Sequence, residues 1–399
     1  MTDNALTWLD PSNGVTPIPS SAELSLAALD VYAQPLVHDT LVAQRIISVD
    51  ALKIVDESIQ GQNLTMGWGH TLASLIAILL AGTLPSNTPQ ARRSHRRFQE
   101  QLLRAQSVWP DLASTSDRTF LVCADHLPPE FGLPKQLYPS LESSAPLGHS
   151  GFVELVDKII NVVSPVVNPT WISSRTGLRD ALTTILAETF RNTHDHARTD
   201  IDQSDIAPSV RGIYARYSSL QQIESLVRSV KPEAQTPAQS YASHFLPKKV
   251  SKIAGLSNAY KVEGLLELSV FDSGPGLAAK WLRRSAIDVP IQEQLDAVLA
   301  CFAKGHTSTN TLGRGYGLAK VLQRLKDLHG FIGVRTNQIH VYRQFGFMSE
   351  FAQHELADGT RIPKELLFDW KTHFRQSATQ LIPVKGTVIT FLLPMGSDQ

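Results

Sequence analysis

The chain is 399 residues long, about two to three times the length of a typical domain, which favours two domains. Its 37 Lys and Arg residues balance its 37 Asp and Glu residues, which argues against a strongly basic surface for nucleic acid or anionic membrane and leaves only local patches open. Cys123 and Cys301 show no CxxC or Cys/His spacing, which argues against a disulfide framework and a structural zinc site and favours a cytoplasmic location.

The first elements predicted along the chain form a mainly helical N-terminal region. The opening residues, MTDNALTWLDPSNG, are polar and acidic, so no secretory signal is predicted. Between about Ser20 and Leu112, apolar residues such as Leu24, Ala27 and Val31 recur at spacings suited to one helical face. The apolar stretch from Thr71 to Leu84 is shorter than the roughly 20 residues of a membrane-spanning helix, and we expect a buried core helix.

A basic helix, a strand and a break follow. Ala91 to Gln106 (ARRSHRRFQEQLLRAQ) predicts a basic helix, interpreted as a solvated face, with a phosphate-binding or partner-binding surface as the alternative. Thr119 to Ala124 (TFLVCA) predicts a buried strand. Closely spaced prolines then disfavour regular structure, and we place a domain boundary near residue 150. Residues 1–150 are predicted to form a regulatory or partner domain, and residues 151–399 a second domain.

The C-terminal region alternates helices with strands. The amphipathic segment Gly177 to Ala197 predicts a long helix. A strand from Leu265 to Phe271 ends in the loop DSGPG, and a helix from Tyr316 to His329 follows a loop rich in Gly, Ser and Thr. The other predicted elements are strands at Val210 to Tyr217, Phe331 to Arg335, Ile339 to Tyr342 and Gly386 to Leu393, and a helix at Ile291 to Ala303. The expected fold class is α+β, with helices covering a mixed sheet.

Two polar side chains of the long helix suggest chemistry. Glu188 and Asn192 are four residues apart and therefore share a face. A carboxylate and an amide at this spacing suit a water-activating base and a magnesium ligand, although such a pair alone is more typical of an exposed helix face. His194 and His196 also form an HxH pair, but no third ligand accompanies them, which argues against a metal site.

Two glycine-rich loops could offer their backbone to a ligand. Asp272-Ser273-Gly274-Pro275-Gly276 brings a carboxylate to the end of a buried strand, where the glycines permit close approach. The sequence GRGYGL, from Gly313 to Leu318, opens a helix, where free N–H groups and the helix dipole suit phosphate oxygens. No strand leads directly into this second loop, and its spacing differs from a dinucleotide-binding fingerprint. The absence of GxxxxGK[ST] excludes an ordinary P-loop NTPase.

In this order, and with Gly386-Thr387 preceding an alternating strand, these segments resemble the gyrase, heat-shock chaperone, histidine kinase and MutL (GHKL) ATPase superfamily. The matching segments span about residues 165–395. The resemblance implies a Bergerat-type α/β sandwich that binds ATP and Mg²⁺. ILAETFRNTHDHA resembles the N box, which implies that Glu188 is the general base and Asn192 the magnesium ligand.

The glycine loops resemble the nucleotide-contacting boxes of the same superfamily. VFDSGPGL is similar to the first glycine box, whose Asp272 would accept a hydrogen bond from the adenine amino group with Thr387 supporting it. KGHTSTNTLGRGYGL is similar to the second box and its lid, where Lys304, His306 and Thr307 would neighbour the phosphates. The nucleotide-binding residues implied by the resemblance are Asn192, Asp272, Gly274, Gly276, Lys304, Thr307, Gly313, Gly315, Gly317, Leu318 and Thr387.

One spacing departs from the superfamily. The separation between Asn192 and Asp272 is longer than usual, so an insertion is predicted near residues 200–250, and a second near 346–384. Both are interpreted as edge decoration, with partner binding as the alternative. We expect a protein partner or a homodimer to use the N-terminal domain or these insertions; the sequence gives no strong nucleic-acid signal, and no membrane partner is expected.

Three functions are compatible with these motifs, because a fold does not fix function. The first is slow ATP hydrolysis that switches dimer or partner contacts, which Glu188 favours because histidine kinases commonly carry Asn at that position. The second is a protein kinase of the histidine-kinase or anti-sigma serine-kinase type, which the THDHA ending of the N box favours and for which His95 is the helical phospho-acceptor candidate. The third is an ATP-sensing scaffold without hydrolysis.

Overall fold

The chain folds into helices and a largely antiparallel set of strands, and is therefore an α+β protein. This is a computed structural model, and it describes residues 7–11, 14–26, 29, 36–55, 71–82, 88–106, 117–140, 145–163, 177–246, 260–303, 317–345, 353–355, 361–363, 367–373 and 377–398. The helices in these ranges are α1 (Asp39–Ile47), α2 (Leu72–Leu80), α3 (Pro89–Ala105), α4 (Pro129–Gly132), α5 (His149–Val163), α6 (Leu178–His196), α7 (Leu220–Arg228), α8 (Pro237–Ser243), α9 (Leu277–Leu282), α10 (Ile291–Phe302) and α11 (Gly317–Asp327). The strands are β1 (Ser21–Leu24), β2 (Ala51–Ile54), β3 (Arg118–Ala124), β4 (Val210–Ser219), β5 (Tyr260–Asp272), β6 (Phe331–Asn337), β7 (Ile339–Gln344), β8 (Gln353–Glu355), β9 (Arg361–Pro363), β10 (Phe368–Asp369) and β11 (Val384–Asp398).

A seven-stranded sheet lies at the centre, in the order β10-β7-β6-β11-β5-β4-β3. All its strand pairs among the described residues are antiparallel, so the prediction of a mixed sheet is wrong. Sequence patterns mark where strands occur but not their directions. Here β6 and β7 form a tight hairpin, and β11 runs opposite to both of its neighbours. Outside this sheet, β1 and β2 form a parallel pair and β8 and β9 an antiparallel pair.

The edge strand β3 comes from the N-terminal side of the boundary predicted near residue 150. Its pairing with β4 runs from Arg118 opposite Arg216 to Ala124 opposite Val210. The strand predicted by TFLVCA is therefore confirmed. The sheet crosses the predicted boundary, and the division into a domain at 1–150 and one at 151–399 remains a prediction.

Helices cover both faces of the sheet. On one face, which we call the α6 face, residues of α5, α6, α10 and α11 pack on strand residues such as Ile213, Val270 and Ile389. On the opposite face, the α1 face, residues of α1, α2, α3, α7 and α8 form a core with strand residues such as Tyr214 and Phe271. Strand residues alternate between the two cores because successive side chains point to opposite faces.

Helix α6 confirms the predicted long helix and carries two candidate functional side chains. Its buried stripe includes Leu182, Ile185 and Leu186, which anchor it to the sheet. Glu188 and Asn192 lie at the margin of this stripe and are half-buried. Packing of the stripe therefore fixes which way the two polar side chains face.

Two four-residue strands lie among the helices of the described N-terminal region. Leu24, which the spacing assigned to a helix, lies in β1, where it and Ala22 are buried between exposed neighbours. A strand of four residues contains too few positions to separate a period of two from a helical stripe. Ala27 and Val31 of the same pattern lie outside the described residues.

Two helices occupy part of the stretch near residues 200–250 that was interpreted as an insertion decorating an edge. Ser219 and Thr236 cap α7 and α8, each through a capping box. The Tyr241 hydroxyl of α8 donates to the carbonyl oxygen of His329 at 2.7 Å. Because both helices contribute to the core of the α1 face, this segment covers part of the sheet.

Helix α2 is buried, as predicted from its apolar sequence. Its C-terminal end is held by α3, where Nε2 of His95 lies 3.0 Å from the Ile78 carbonyl oxygen and Nε2 of Gln99 donates to the same oxygen at 2.8 Å. These contacts satisfy a carbonyl that the helix itself leaves unpaired. Within the described ranges, no helix combines the length and apolar character needed to cross a bilayer.

Charged side chains are buried on the α1 face between α1 and strands β3 to β5. The Tyr214 hydroxyl donates to the carboxylate of Asp39, whose Oδ2 lies 3.5 Å from Nη1 of Arg118. Glu267 is 2% exposed, and its Oε2 accepts a hydrogen bond from the Val37 amide at 3.1 Å. Burial is the main cause that raises the pKa of Glu267 to about 7.

Replacing Glu267 with Gln is expected to make stability less dependent on pH. Because the folded-state pKa is about 7 and the unfolded value 4.5, the folded protein loses stability as pH rises through this window. At about 1.4 kcal/mol per pKa unit, the loss is roughly 3 kcal/mol. Denaturant unfolding at pH 5 and pH 8 would measure it, and Glu267→Gln should remove most of the difference. Glu263→Gln, at a half-exposed position of the same strand, is the control. Equal pH dependence in both variants would contradict the assignment of the pH-dependent loss of stability to Glu267.

Candidate functional site

Several candidate residues meet at one end of the sheet, on the α6 face. Asp272 is the last residue of β5, and Thr387 lies near the start of the neighbouring β11. Val270 and Ile389, two residues away from each, belong to the core beneath α6. Since residues two apart in a strand share a face, Asp272 and Thr387 also point to the α6 side.

The Asp272 carboxylate is buried and firmly held. It is 6% exposed, and its Oδ1 accepts hydrogen bonds from the amides of Gly274 at 2.9 Å and Thr387 at 3.2 Å. No residue in the described ranges donates a hydrogen bond to its Oδ2. Burial raises the pKa of Asp272 to about 6, although the two amide donors and the charge of Arg211 act in the opposite direction.

Gly386 joins the start of β11 to the loop that follows β5. Its amide donates to the Gly274 carbonyl oxygen at 2.7 Å, and its φ of +70° lies in the left-handed region that favours glycine. A Cβ at this position would overlap the carbonyl oxygen of Asp272. A side chain at position 386 would therefore force the two segments apart.

Thr336 and Asn337, at the end of β6, support the loop from the other side. The Thr336 hydroxyl lies 3.2 Å from that of Thr387 and accepts a hydrogen bond from the Leu277 amide at 3.0 Å. The side-chain amide of Asn337 donates to the Pro275 carbonyl oxygen at 2.8 Å. Sequence reasoning missed both residues, because they lie just beyond the strand predicted at Phe331 to Arg335 and belong to no motif.

Glu188 lies beside the start of α11. A Cβ on Gly317, the first residue of that helix, would lie 2.8 Å from Oε2 of Glu188. Nζ of Lys320 lies 3.8 Å from the other carboxylate oxygen, Oε1. The carboxylate is only partly buried, with 26% of the side chain exposed. It is thus placed next to a helix N-terminus, where the helix dipole is positive.

Asn192 lies one turn further along α6, between Glu188 and the first glycine loop. The helix ends against that loop, since a Cβ on Gly274 would lie 2.8 Å from the Cα and Cβ atoms of Ala197. Gly276, the residue before α9, lies equally close to Asn337, whose side-chain atoms would be 2.5–2.8 Å from an added Cβ. One helix thus runs from the start of α11 to the first glycine-rich loop.

The candidate residues therefore separate into two neighbouring groups. The amides of Gly274 and Thr387 both donate to Asp272, and the carboxylate of Glu188 lies beside Gly317. Leu318 is buried in the core of the α6 face, and the candidates outside the described residues are Lys304, His306, Thr307, Gly313 and Gly315. No family model, curated protein or solved structure matches the chain.

A buried arginine lies next to Asp272 on the adjacent strand. Arg211 is 1% exposed, pairs with Asp272 in the β4–β5 register, and donates to both carboxylate oxygens of Asp125 at 2.7 and 2.8 Å. Nearby, the Tyr138 hydroxyl lies 3.0 Å from Nδ1 of His194, which gives this histidine of α6 a structural partner. Sequence reasoning missed this network because its members are far apart in the chain.

Proposed function

We propose that this chain binds Mg·ATP, hydrolyses it slowly and uses the nucleotide state to switch contacts with a protein partner or a second copy of itself. The observation that carries the proposal is the Asp272 carboxylate. Two backbone amides donate to its Oδ1. None of the described residues donates to Oδ2, which can therefore accept a further hydrogen bond. A fixed, buried acceptor suits the exocyclic amino group of adenine, and it would repel the carbonyl that guanine carries at the same place.

The arrangement of helices and strands supports a Bergerat-type sandwich for this site. Helices α6 and α11 pack on the same face of the antiparallel sheet. The segments that resemble the N box, the first glycine box and the closing Gly-Thr converge at one end of that sheet, together with the start of α11. A sheet with helices on it does not determine function. The convergence at one place of residues that are far apart in sequence therefore supports the GHKL proposal more strongly than the sheet does.

Glu188 and Asn192 would act on the phosphate side. The amide oxygen of Asn192 is a hard donor of the kind Mg²⁺ prefers, and a bound ion would neutralise charge on the phosphates. Glu188 would orient the attacking water, and the N-terminal amides of α11 lie close by. Since phosphoryl transfer depends mainly on positioning and charge neutralisation, we expect slow turnover coupled to conformational change.

The position of His95 argues against autophosphorylation of this residue. His95 is buried, its Nε2 is bonded to the Ile78 carbonyl oxygen, and burial lowers its pKa. A phospho-accepting nitrogen must be free to reach the γ-phosphate, whereas Nε2 of His95 is hydrogen-bonded to a buried carbonyl oxygen. Phosphorylation of a separate protein and nucleotide sensing without hydrolysis remain as competing functions.

Incubation of the purified protein with Mg²⁺ and γ-labelled ATP separates these functions. Released phosphate would support the proposed ATPase. Label on this chain or on an added protein would favour the kinase, and nucleotide binding with neither result would favour the scaffold. Failure to bind any adenine nucleotide would overturn all three.

Asp272→Asn is expected to weaken ATP binding about 10- to 100-fold, since a hydrogen bond to a charged group contributes about 1.5–3 kcal/mol. In the wild type, the dissociation constant for ATP should rise about fivefold as pH falls from 6 to 5, because protonation removes the charged acceptor, which is already half protonated at its pKa of about 6. Calorimetric titration would measure both effects. Asp180→Asn, which removes an exposed carboxylate near the start of α6, is the control. Equal affinities for Asp272→Asn and the wild type would contradict the assigned role.

A further inference from the structure

Gln44 of α1 reaches the irregular start of β11 around Gly386, where the pairing with β6 shifts register, and which we call the Gly386 turn. Its side chain is 1% exposed, and Nε2 lies within hydrogen-bond distance of three backbone carbonyl oxygens. The oxygens belong to Arg335 at 3.1 Å, Lys385 at 3.3 Å and Gly386 at 3.4 Å. One buried amide thus holds the end of β6 and the start of β11 together.

Gln44 contacts the peptide group between Gly386 and Thr387, and the N–H of the same peptide group donates to Asp272. Gly386 donates its amide to the Gly274 carbonyl oxygen, and the next residue, Thr387, donates its amide to Oδ1 of Asp272. The left-handed backbone at Gly386 has no side chain to pack, so its conformation depends on such hydrogen bonds. Loss of the Gln44 amide would leave buried carbonyl oxygens unpaired and would loosen the turn.

The same helix is tied to both flanking segments. The Ser48 hydroxyl donates to the Gln44 carbonyl oxygen at 2.7 Å and accepts from the Lys385 amide at 2.9 Å. Arg45, the neighbour of Gln44, donates to the carbonyl oxygens of Trp8 and Thr16. Adjacent side chains of α1 therefore bind two different segments: Gln44 binds the Gly386 turn, and Arg45 binds the backbone at Trp8 and Thr16.

We propose that Gln44 is a positioning residue that fixes the Gly386 turn and, through it, the carboxylate of Asp272. Its importance for nucleotide binding rests on the function proposed above, in which Asp272 recognises adenine. Helix α1 then links Trp8 and Thr16 to the base-binding end of the site. A shift of the backbone at Trp8 and Thr16 would therefore change the affinity for the base without displacing the groups assigned to the phosphates.

The test compares Gln44→Leu with Gln99→Leu. Gln99 is also buried, and its Nε2 donates to two carbonyl oxygens, at 2.8 and 3.2 Å, in contacts that do not include the turn. Hydrogen exchange is followed by mass spectrometry in peptides covering residues 272–276 and 384–388, alongside global unfolding and titration with ATP. If the leucine variant does not fold, Gln44→Met supplies an unbranched apolar replacement.

We expect at least about tenfold faster exchange in these peptides for Gln44→Leu only, with global stability matched to Gln99→Leu. The dissociation constant for ATP should rise about fivefold or more, which corresponds to about 1 kcal/mol, while kcat at saturating ATP is unchanged. Equal exchange in the two variants would overturn the inference even if the wild type binds ATP. A wild type that binds no ATP would overturn the proposed function, whereas exchange specific to Gln44→Leu would still support the positioning of the turn.

Discussion

Glu188→Gln should lower phosphate release from ATP by at least about 100-fold, the usual minimum contribution of a general base, with little change in ATP affinity. Glutamine keeps the size and polarity of the side chain but cannot take a proton from water. The carboxylate lies against Gly317 at the start of α11 and is partly exposed, so both a nucleotide phosphate and a water could approach it. Phosphate release and equilibrium binding, measured on the same samples, separate loss of chemistry from loss of binding.

Glu100→Gln is a matched control for this variant. Its side chain is 24% exposed and lies 3.5 Å from that of Arg96 on the preceding turn, much as the side chain of Glu188 is 26% exposed and lies 3.8 Å from that of Lys320. Removing this carboxylate should leave phosphate release unchanged. Hydrolysis that persists in Glu188→Gln at the wild-type rate would show that another group activates water.

Gly386→Ala is expected to disrupt both the stability of the protein and its nucleotide site. A left-handed backbone costs a non-glycine residue about 1–2 kcal/mol. Overlap of the new Cβ with the Asp272 carbonyl oxygen adds a further cost of about 1–3 kcal/mol. Denaturant unfolding should therefore show a loss of roughly 2–5 kcal/mol, and ATP binding should fall because the Thr387 amide no longer meets Asp272.

Gly148→Ala provides the comparison, because a Cβ on Gly148 has no atom within 4 Å. This variant should match the wild type in unfolding and in ATP affinity. If Gly386→Ala were as stable as Gly148→Ala and bound ATP equally well, the close approach of β11 to the loop after β5 would be unnecessary for the site.

Local patterns predicted the elements that carry the site. Helix α6 could be predicted because its apolar residues recur at helical spacing over many turns, and β5 because a buried strand ends in a glycine-rich loop. Strand directions and the place of β3 at the sheet edge could not be predicted, since these depend on pairing between segments far apart in the chain. The four-residue strand β1 contains too few positions for its period to be distinguished from that of a helix.

The same distinction applies within the site. Glu188, Asn192, Asp272 and Thr387 could be selected as candidates because short motifs surround them. Gln44 has no motif, and its contact with Gly386 joins residues 342 positions apart. Such supporting contacts depend on how the sheet and its two helical layers pack, which neither periodicity nor a short motif reveals.

The most direct test of the central claim is a crystal structure of the full chain with Mg²⁺ and a non-hydrolysable ATP analogue. We expect the adenine amino group to lie within hydrogen-bond distance of Oδ2 of Asp272. The magnesium ion should be bound by the side chain of Asn192, with the phosphates near Glu188 and the start of α11. An analogue that is bound elsewhere, or that leaves Asp272 without a contact to the base, would contradict the account.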